Sequence, residues 1–123
     1  MAAIPQTLTW NTDGAANTAG AQSGSTLADA YTTPIRVGGY RSYGFQFVWA
    51  SGTPVGDFEL QFSWDGTNWA DSGATVVAAS GASGNNFFNV VFPGGEYYAR
   101  IFFDRTSGGA AASLSGTFFG RDV

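Results

Sequence analysis

Four carboxylate side chains cluster in the middle of the chain, and two carboxylates are the minimum that a glycosidase requires. They belong to Asp57, Glu59, Asp65 and Asp71. In an extended strand, Asp57 and Glu59 share one face and lie about 7 Å apart, a separation compatible with an inverting pair. Catalysis also needs one carboxyl to be desolvated so that its pKa rises, and these two fall on the face that we expect to be solvated. We therefore interpret them as part of a solvated strand face.

Other chemistry is restricted by residue types that the chain lacks. The oxygen atoms of Asp65, Asn68 and Asp71 could converge in a loop and bind Ca²⁺, but their spacing matches no EF-hand. The chain contains no Cys and no His, and all five basic residues are Arg. This composition excludes disulfides, thiol nucleophiles, Ser-His-Asp triads and Schiff-base lysines. We predict a protein that is not an enzyme and that has no metal and no other cofactor.

The aromatic residues offer a second kind of chemistry, because Trp49, Trp64 and Trp69 could form a flat platform for sugar stacking. More often such residues fill the space between two sheets. Trp64 continues the inward face that starts at Phe58, so we predict that it lies in the core. Trp69 follows a turn, and the sequence leaves its position open.

Arg100 and Arg105 flank Asp104, and two readings of this arrangement stay open. Arginine makes bidentate contacts and stacks on rings, so both side chains could anchor an interface. Alternatively, they form a local pair with Asp104.

Length and composition point to one all-β domain over residues 1–123. The chain has 18 Gly, 11 Phe and 4 Trp, while only 11% of its residues are charged. This is a composition rich in turn formers and strand formers and poor in the residues of exposed helices. The net charge is −4, the opposite of what phosphate binding requires, so we expect no nucleic-acid partner.

Nothing in the sequence predicts a membrane protein. The first residues lack the basic and apolar regions of a secretory signal, and no apolar stretch approaches the ~20 residues of a membrane-spanning helix. We expect synthesis and folding in a reducing cytoplasm and no membrane partner.

Gly, Pro and Asn divide the chain into short segments that alternate as strands do. Two segments alternate strongly, with Tyr43, Phe45, Phe47 and Trp49 on one face of the first and Phe58, Leu60, Phe62 and Trp64 on one face of the second. Residues 1–30 are interpreted as a first strand from Ile4 to Trp10 followed by a long loop or arm. The remaining predicted strands are Tyr31–Val37, Thr75–Ala79, Phe87–Phe92, Tyr97–Asp104 and Ser113–Phe119.

About eight short strands with polar connections favour an antiparallel two-sheet β-sandwich of jelly-roll or related Greek-key topology. A closed barrel is the alternative. The segment Tyr97–Asp104 has bulky residues on both faces, which predicts a central strand or one covered by a partner.

Three segments of the sequence form a recognisable pattern. They are the Ser-x-Asp-Gly-Thr-Asn-Trp turn at 63–69, the Tyr-x-Arg strand with Arg-Thr-Ser-Gly at 98–108, and the Leu-x-Gly-x-Phe-x-Gly-Arg run at 114–121. Together they resemble small virion structural proteins of tailed bacteriophages, in particular the β-sandwich decoration or cement proteins on the outside of the capsid. The likeness covers roughly residues 40–121. The turn motif also recurs in discoidin-like and carbohydrate-binding sandwiches.

The resemblance implies a non-enzymatic protein that binds the outer surface of the major capsid protein, stabilises the shell and assembles as a homotrimer. It would be made in the host cytoplasm and reside on the capsid surface of the virion. The residues predicted to bind the partner are Tyr98, Arg100, Phe102, Arg105 and Trp69.

Two other functions stay open. A carbohydrate-binding β-sandwich module would expose Trp69 and a neighbouring Tyr for sugar stacking. A tail or adaptor subunit of a virion would share the fold and differ only in its position on the particle.

Overall fold

The computed structural model describes residues 4–12, 15–16, 30–50, 52–79, 83–106 and 112–121. These residues form β-strands joined by turns and irregular segments. The strands are β1 (Ile4–Thr7), β2 (Trp10–Thr12), β3 (Ala15–Ala16), β4 (Ala30–Thr32), β5 (Ile35–Arg36), β6 (Ser42–Ala50), β7 (Gly56–Ser63), β8 (Ala70–Asp71), β9 (Val77–Ala78), β10 (Gly84–Val90), β11 (Tyr98–Arg105) and β12 (Ser113–Arg121).

The strands form two antiparallel sheets that pack face to face. Sheet A has the order β1-β12-β6-β10, and sheet B has the order β3-β2-β4-β11-β7-β8, with β5 paired to β11 and β9 paired to β7. Most neighbours within a sheet are not consecutive in the chain, as in Greek-key sandwiches. The predicted antiparallel β-sandwich is confirmed, and no pairing between the described strands joins the two sheets into a barrel.

The core lies between the sheets and is built from aromatic rings on alternate strand positions. Tyr43, Phe45, Phe47 and Trp49 of β6 are all buried, as the alternation predicts. The Phe47 ring lies 4.7 Å from that of Phe58 in β7, so rings from the two sheets are in direct contact. Burying one Phe side chain stabilises the fold by about 1.5–3 kcal/mol.

The predicted first strand, from Ile4 to Trp10, is divided between the two sheets. Its first part is β1, at one edge of sheet A, a position that tolerates Pro5 because proline has no N–H to donate. Its last residue, Trp10, begins β2 in sheet B. Leu8 and Trp10 are fully buried, and the N–H of Leu8 donates to the carbonyl of Gly116 (3.0 Å). Of the predicted loop or arm within 1–30, residues 1–3, 13–14 and 17–29 lie outside the described residues.

The predicted strand Tyr31–Val37 is also interrupted. Thr33 and Pro34 separate β4 from β5, because proline has no N–H to donate to a ladder. Both short strands pair with β11, and β7 pairs with its other side. The prediction of a central strand at Tyr97–Asp104 is therefore confirmed.

The prediction that Trp64 lies in the core is wrong, because its side chain is 70% exposed. Strand β7 ends at Ser63, so the side chain of Trp64 no longer follows the inward and outward alternation of a strand. The Asp65-Gly66 turn is confirmed, and Gly66 has the positive φ of 77° that such a turn favours. The Trp64 indole rests on the backbone of Gly95 and meets the Tyr97 ring edge to face at 5.8 Å.

No helix of the described residues is long and apolar enough to cross a membrane.

Candidate functional site

The outer face of sheet B contains most of the residues that the sequence predicts to bind a partner. In β11, Ala99, Ile101 and Phe103 are buried in the core, so the side chains between them point outward. Tyr98, Arg100 and Phe102 therefore share the outer face, and each is partly buried. Arg105 has the opposite orientation at the end of the strand and does not join them.

Arg100 is the centre of this face. Its guanidinium lies 4.3 Å from the ring centroid of Trp69 and 4.8 Å from that of Tyr31. Its Nε donates a hydrogen bond to Oε1 of Gln61 on the neighbouring strand (2.8 Å). Burial lowers the pKa of Arg100. We call these four residues the arginine stack.

The loop after β7 covers part of the same face. A Cβ atom on Gly66 would lie 3.6 Å from the Tyr98 ring, so the loop backbone packs directly against that ring. The loop is held by Asp65, whose Oδ1 accepts hydrogen bonds from the N–H groups of Thr67 and Asn68 (both 2.8 Å). These bonds hold the pKa of the Asp65 carboxyl well below its usual range, and the bond from the Asn68 N–H has the largest effect. On the outer face of sheet B, Arg100 thus covers the rings of Tyr31 and Trp69, and the loop covers part of Tyr98.

Carboxylates lie beside the arginine stack on the outer face. Asp57 and Glu59 are half-buried there, and register places Asp57 opposite Asp104. The pKa of Glu59 is raised, first by desolvation and then by the charges of Asp104, Asp71 and Asp57. Among the described residues, no group of three or more acidic side chains is placed to hold a metal ion. Of the loop oxygens considered for Ca²⁺, those of Asp65 accept hydrogen bonds within their own turn.

The outer face of sheet A contains a groove that the sequence did not predict. Its volume is about 600 Å³, within the usual range for small-molecule sites. The floor is β6, and the walls are Phe87 on β10 and Phe119 on β12, which are 58% and 41% exposed. Polar groups are supplied by Ser42, Gln46, Asn89 and Arg121, and the described lining residues include no carboxylate. We call this site the sheet A groove.

Strand register defines the arrangement of the walls. Gly44 on the floor is opposite both Phe119 and Asn89, and Gln46 is opposite Phe87. The two walls stand on strands that both flank β6, so their backbones are roughly 10 Å apart. The two rings are offset by two residues, or about 7 Å, along the groove. Phe119 and Asn89 therefore face each other across Gly44. Two residues further along the groove, Phe87 lies beside Gln46.

Gly44 leaves room on the floor of the groove for the side chain of Asn89. A Cβ atom at this position would lie 2.7 Å from Oδ1 of Asn89 and 3.1 Å from the carbonyl oxygen of Phe88. The Asn89 side chain thus occupies the space above the glycine and presents its amide to the groove. Any larger residue would displace this amide.

A buried hydrogen bond supports the groove from below. The Tyr43 hydroxyl donates to Oε2 of Glu96 (2.5 Å), and both residues are buried. Burial first, and then the bond to Glu96, raise the pKa of Tyr43 far above its usual range. This contact connects the floor strand to the segment that leads from β10 into β11.

The sequence contained a signal for the groove walls. Phe87-Phe88 and Phe118-Phe119 are adjacent phenylalanine pairs within strands, and adjacent strand residues point to opposite faces. One ring of each pair must therefore be outside. Phe88 and Phe118 are buried, and their neighbours form the walls. Because the two strands lie on either side of β6, only the strand order reveals that the outer rings face one groove.

The fold and the groove define an antiparallel β-sandwich with a ligand-sized depression on one outer face. No protein-family model and no curated protein matches the chain. Among solved structures, one described as "CBM4 structure and function" has a TM-score of 0.44 and 16% identity, over 84% of this chain and 75% of that one. The N-terminal cellulose-binding domain of Cellulomonas fimi β-1,4-glucanase C has a TM-score of 0.43 and 14% identity, over 92% of this chain and 84% of that domain.

Proposed function

We propose that the protein is a non-catalytic carbohydrate-binding domain that holds a neutral glycan in the sheet A groove. The observation that carries this proposal is the pairing of exposed aromatic walls with amide side chains above a glycine floor. The apolar C–H face of a sugar ring packs on an aromatic ring, and its hydroxyl groups require hydrogen-bonding partners at the edge. Phe119 and Asn89, on opposite sides of Gly44, supply one of each.

The polar groups of the groove favour a neutral ligand. Amides both donate and accept hydrogen bonds, as do sugar hydroxyls. Gln46, Asn89 and Ser42 are uncharged, and Arg121 is the one charged residue among the described lining residues. The offset of about 7 Å between the two rings gives room for contacts with more than one sugar unit.

The arginine stack is a less favourable sugar site than the groove. A ring that already contacts a guanidinium offers less of its surface to a ligand. Trp69 and Tyr31 both contact Arg100, and the 64–69 loop covers Tyr98. The face that contains the predicted residues therefore serves as structural support in this proposal.

The test is a glycan screen followed by titration. The purified domain is applied to an array of neutral and acidic glycans, and the best soluble oligosaccharide is titrated by calorimetry. Phe119→Ala should weaken binding at least tenfold, because it removes one wall. Phe92→Ala is the matched control, because it removes a ring that is 92% exposed and does not line the groove.

Two outcomes would contradict the proposal. The first is an array with no signal for any neutral glycan. The second is binding that survives Phe119→Ala but is lost in Trp69→Ala, which would move the site to sheet B.

A second candidate is capsid decoration, the function implied by the phage resemblance. It is favoured by an exposed apolar segment after β10, where Val91 and Phe92 are 61% and 92% exposed. Exposed apolar side chains of this kind are typical of surfaces that bind another protein. Incubation with undecorated capsid shells tests it: a decoration protein should co-sediment with the shells and raise their melting temperature. A tail or adaptor subunit would instead be located on the tail by particle imaging.

A further inference from the structure

We propose that the free edge of β10 pairs with the same edge of a second copy of the chain, antiparallel and across a two-fold axis. Strand β10 pairs with β6 on one side, and no strand of the described residues pairs with its other side. An unpaired edge exposes backbone N–H and C=O groups that another strand satisfies. The pairing does not depend on the proposed glycan binding.

The other described sheet edges are shorter than β10 or contain proline. On β10 the N–H of Phe87 donates to Oδ1 of the neighbouring Asn86 (2.8 Å), and pairing at this edge would replace that bond. Strand β1, at the opposite edge of sheet A, contains Pro5, which has no N–H to donate to a further strand. At the edges of sheet B, β3, β8 and β9 are only two residues long. Strand β10 is seven residues long and contains no proline. It is therefore the described edge best suited to adding a strand.

The side chains of β10 also lack the charges that normally prevent edge pairing. From Gly84 to Gly95 the sequence contains no charged residue, although the whole chain has a net charge of −4. Native proteins usually place Lys or another charge on an exposed edge. Two copies of this edge can approach each other without opposing like charges.

The sequence of β10 matches itself in one register. In antiparallel pairing, opposite residues point to the same face. The two-fold axis therefore passes midway between the two copies of one residue. An axis at Phe87 places Phe87 beside its counterpart in the second copy and Asn85 beside the second copy's Asn89. Aromatic pairs and amide pairs of this kind stabilise neighbouring strands. An axis at Asn86 or Phe88 would instead oppose phenylalanine to asparagine.

This dimer would join the two sheet A grooves. Phe87 is both a groove wall and the proposed centre of the interface, so two copies would present one continuous eight-stranded face. If the proposed glycan binding is correct, a long polysaccharide could occupy both grooves, and its apparent affinity would exceed that of a single groove. The symmetric contact is isologous and closes at two copies.

Light scattering coupled to size exclusion tests the pairing without any ligand. The wild-type chain should elute with twice its mass of 12.8 kDa. Phe87→Lys places two like charges opposite each other on the axis and should give a monomer. Phe119→Lys is the matched control, because it makes the same change on the same face but on β12, which has neighbours on both sides. It should remain dimeric.

Cross-linking tests the register, even if Phe87→Lys does not fold. The chain has no native cysteine, so single cysteines report specifically. A mixture of Asn85→Cys and Asn89→Cys proteins should form the mixed disulfide, because opposite Cα atoms lie about 4.5–5.5 Å apart. Either variant alone should not cross-link, because its own counterpart is about 13 Å away along the strand.

Several outcomes would overturn the proposal. A wild-type monomer at high micromolar concentration shows that the edge does not pair. A trimer, as the phage resemblance implies, excludes the two-fold axis. A dimer that persists in Phe87→Lys places the interface elsewhere, and a preference for homodisulfides contradicts the register. If the wild type is monomeric but binds glycan, the dimer fails while the proposed function stands.

Discussion

The two outer faces of this sandwich have similar residue types and use them differently. On sheet B, Trp69 and Tyr31 enclose Arg100, and a loop packs on Tyr98. On sheet A, Phe87 and Phe119 stand beside a glycine and leave a groove between them. An aromatic side chain on a strand surface is thus available to a ligand only when no cation or loop of the same chain already covers it.

The difference comes from the neighbours that each ring has. On sheet B, the long charged side chain of Arg100 occupies the position where a ligand would lie. On sheet A, Gly44 has no side chain, and the short side chain of Asn89 lies against it. The first arrangement should contribute to the stability of the fold, and the second to binding.

The largest expected effect is on glycan affinity, which should depend on the sheet A face and not on the sheet B face. The double variant Phe87→Ala/Phe119→Ala should lower glycan affinity about 100-fold, or about 2.7 kcal/mol, because both walls are removed. The corresponding double variant Tyr31→Ala/Trp69→Ala should leave affinity nearly unchanged. Calorimetric titration of both variants with the same oligosaccharide measures the contrast. Equal losses in the two variants would show that the comparison is wrong.

The next effect concerns the hydrogen bond below the groove. Tyr43→Phe leaves the Glu96 carboxylate buried without its donor and should lower the free energy of unfolding by about 2 kcal/mol. The pKa of Tyr43 is raised in the folded state, so its contribution is complete below the ordinary tyrosine pKa of ~10 and is lost as the pH rises above it.

Urea unfolding of wild type and Tyr43→Phe from about pH 8 to about pH 11 measures this contribution. The difference between the two proteins should shrink above pH ~10, where the unfolded wild-type chain ionises at Tyr43 and the folded one does not. Tyr97→Phe, at an exposed tyrosine, is the control. A difference that stays constant over the whole range would contradict the assignment.

A smaller effect tests the structural role of the arginine stack. Arg100→Ala removes two cation–π contacts and one hydrogen bond, and should lower the free energy of unfolding by about 1–2 kcal/mol. Arg36→Ala removes one longer contact, with Tyr97 at 5.9 Å, and should cost a few tenths of a kcal/mol. Thermal unfolding measures both. The stack is not structural if the two variants melt at the same temperature.

The smallest effect concerns the carboxylates beside the stack. The fold raises the pKa of Glu59 by desolvation and by repulsion from Asp104, Asp71 and Asp57, so its ionised form is disfavoured in the folded state. Glu59→Gln should therefore raise the melting temperature slightly at pH 7. Lowering the pH through the raised pKa should produce the same gain in the wild type and remove the advantage of the variant. A variant that melts below the wild type at pH 7 would contradict this.

Much of the fold follows from local patterns in the sequence. The alternation of β6 predicts its buried face, the Asp65-Gly66 turn is where the dipeptide places it, and Pro5 lies on an edge. The error at Trp64 arises because alternation does not reveal where a strand ends. Ser63 ends β7, and the next side chain is free to leave the core.

The candidate site was less predictable, because it depends on which strands become neighbours. The sequence identified Tyr98, Arg100, Phe102 and Trp69 as prominent residues, and the structure places all four on one face. Nothing local shows that Phe87 and Phe119, which are far apart in the chain, flank the same glycine. That relation requires β10 and β12 to lie on either side of β6, and strand order is set by long-range packing.

Strand β1 pairs with β12, so Ile4 lies opposite Gly120 although the two are 116 positions apart (120 − 4). Contacts of such long sequence separation must close a large loop of unfolded chain, and proteins that depend on them fold slowly. During synthesis, sheet A cannot be completed until the residues of β12 have left the ribosome. Until then β6, with the aromatic side chains of its inner face, lacks its β12 neighbour. The nascent chain is therefore most exposed to aggregation just before its last described strand emerges.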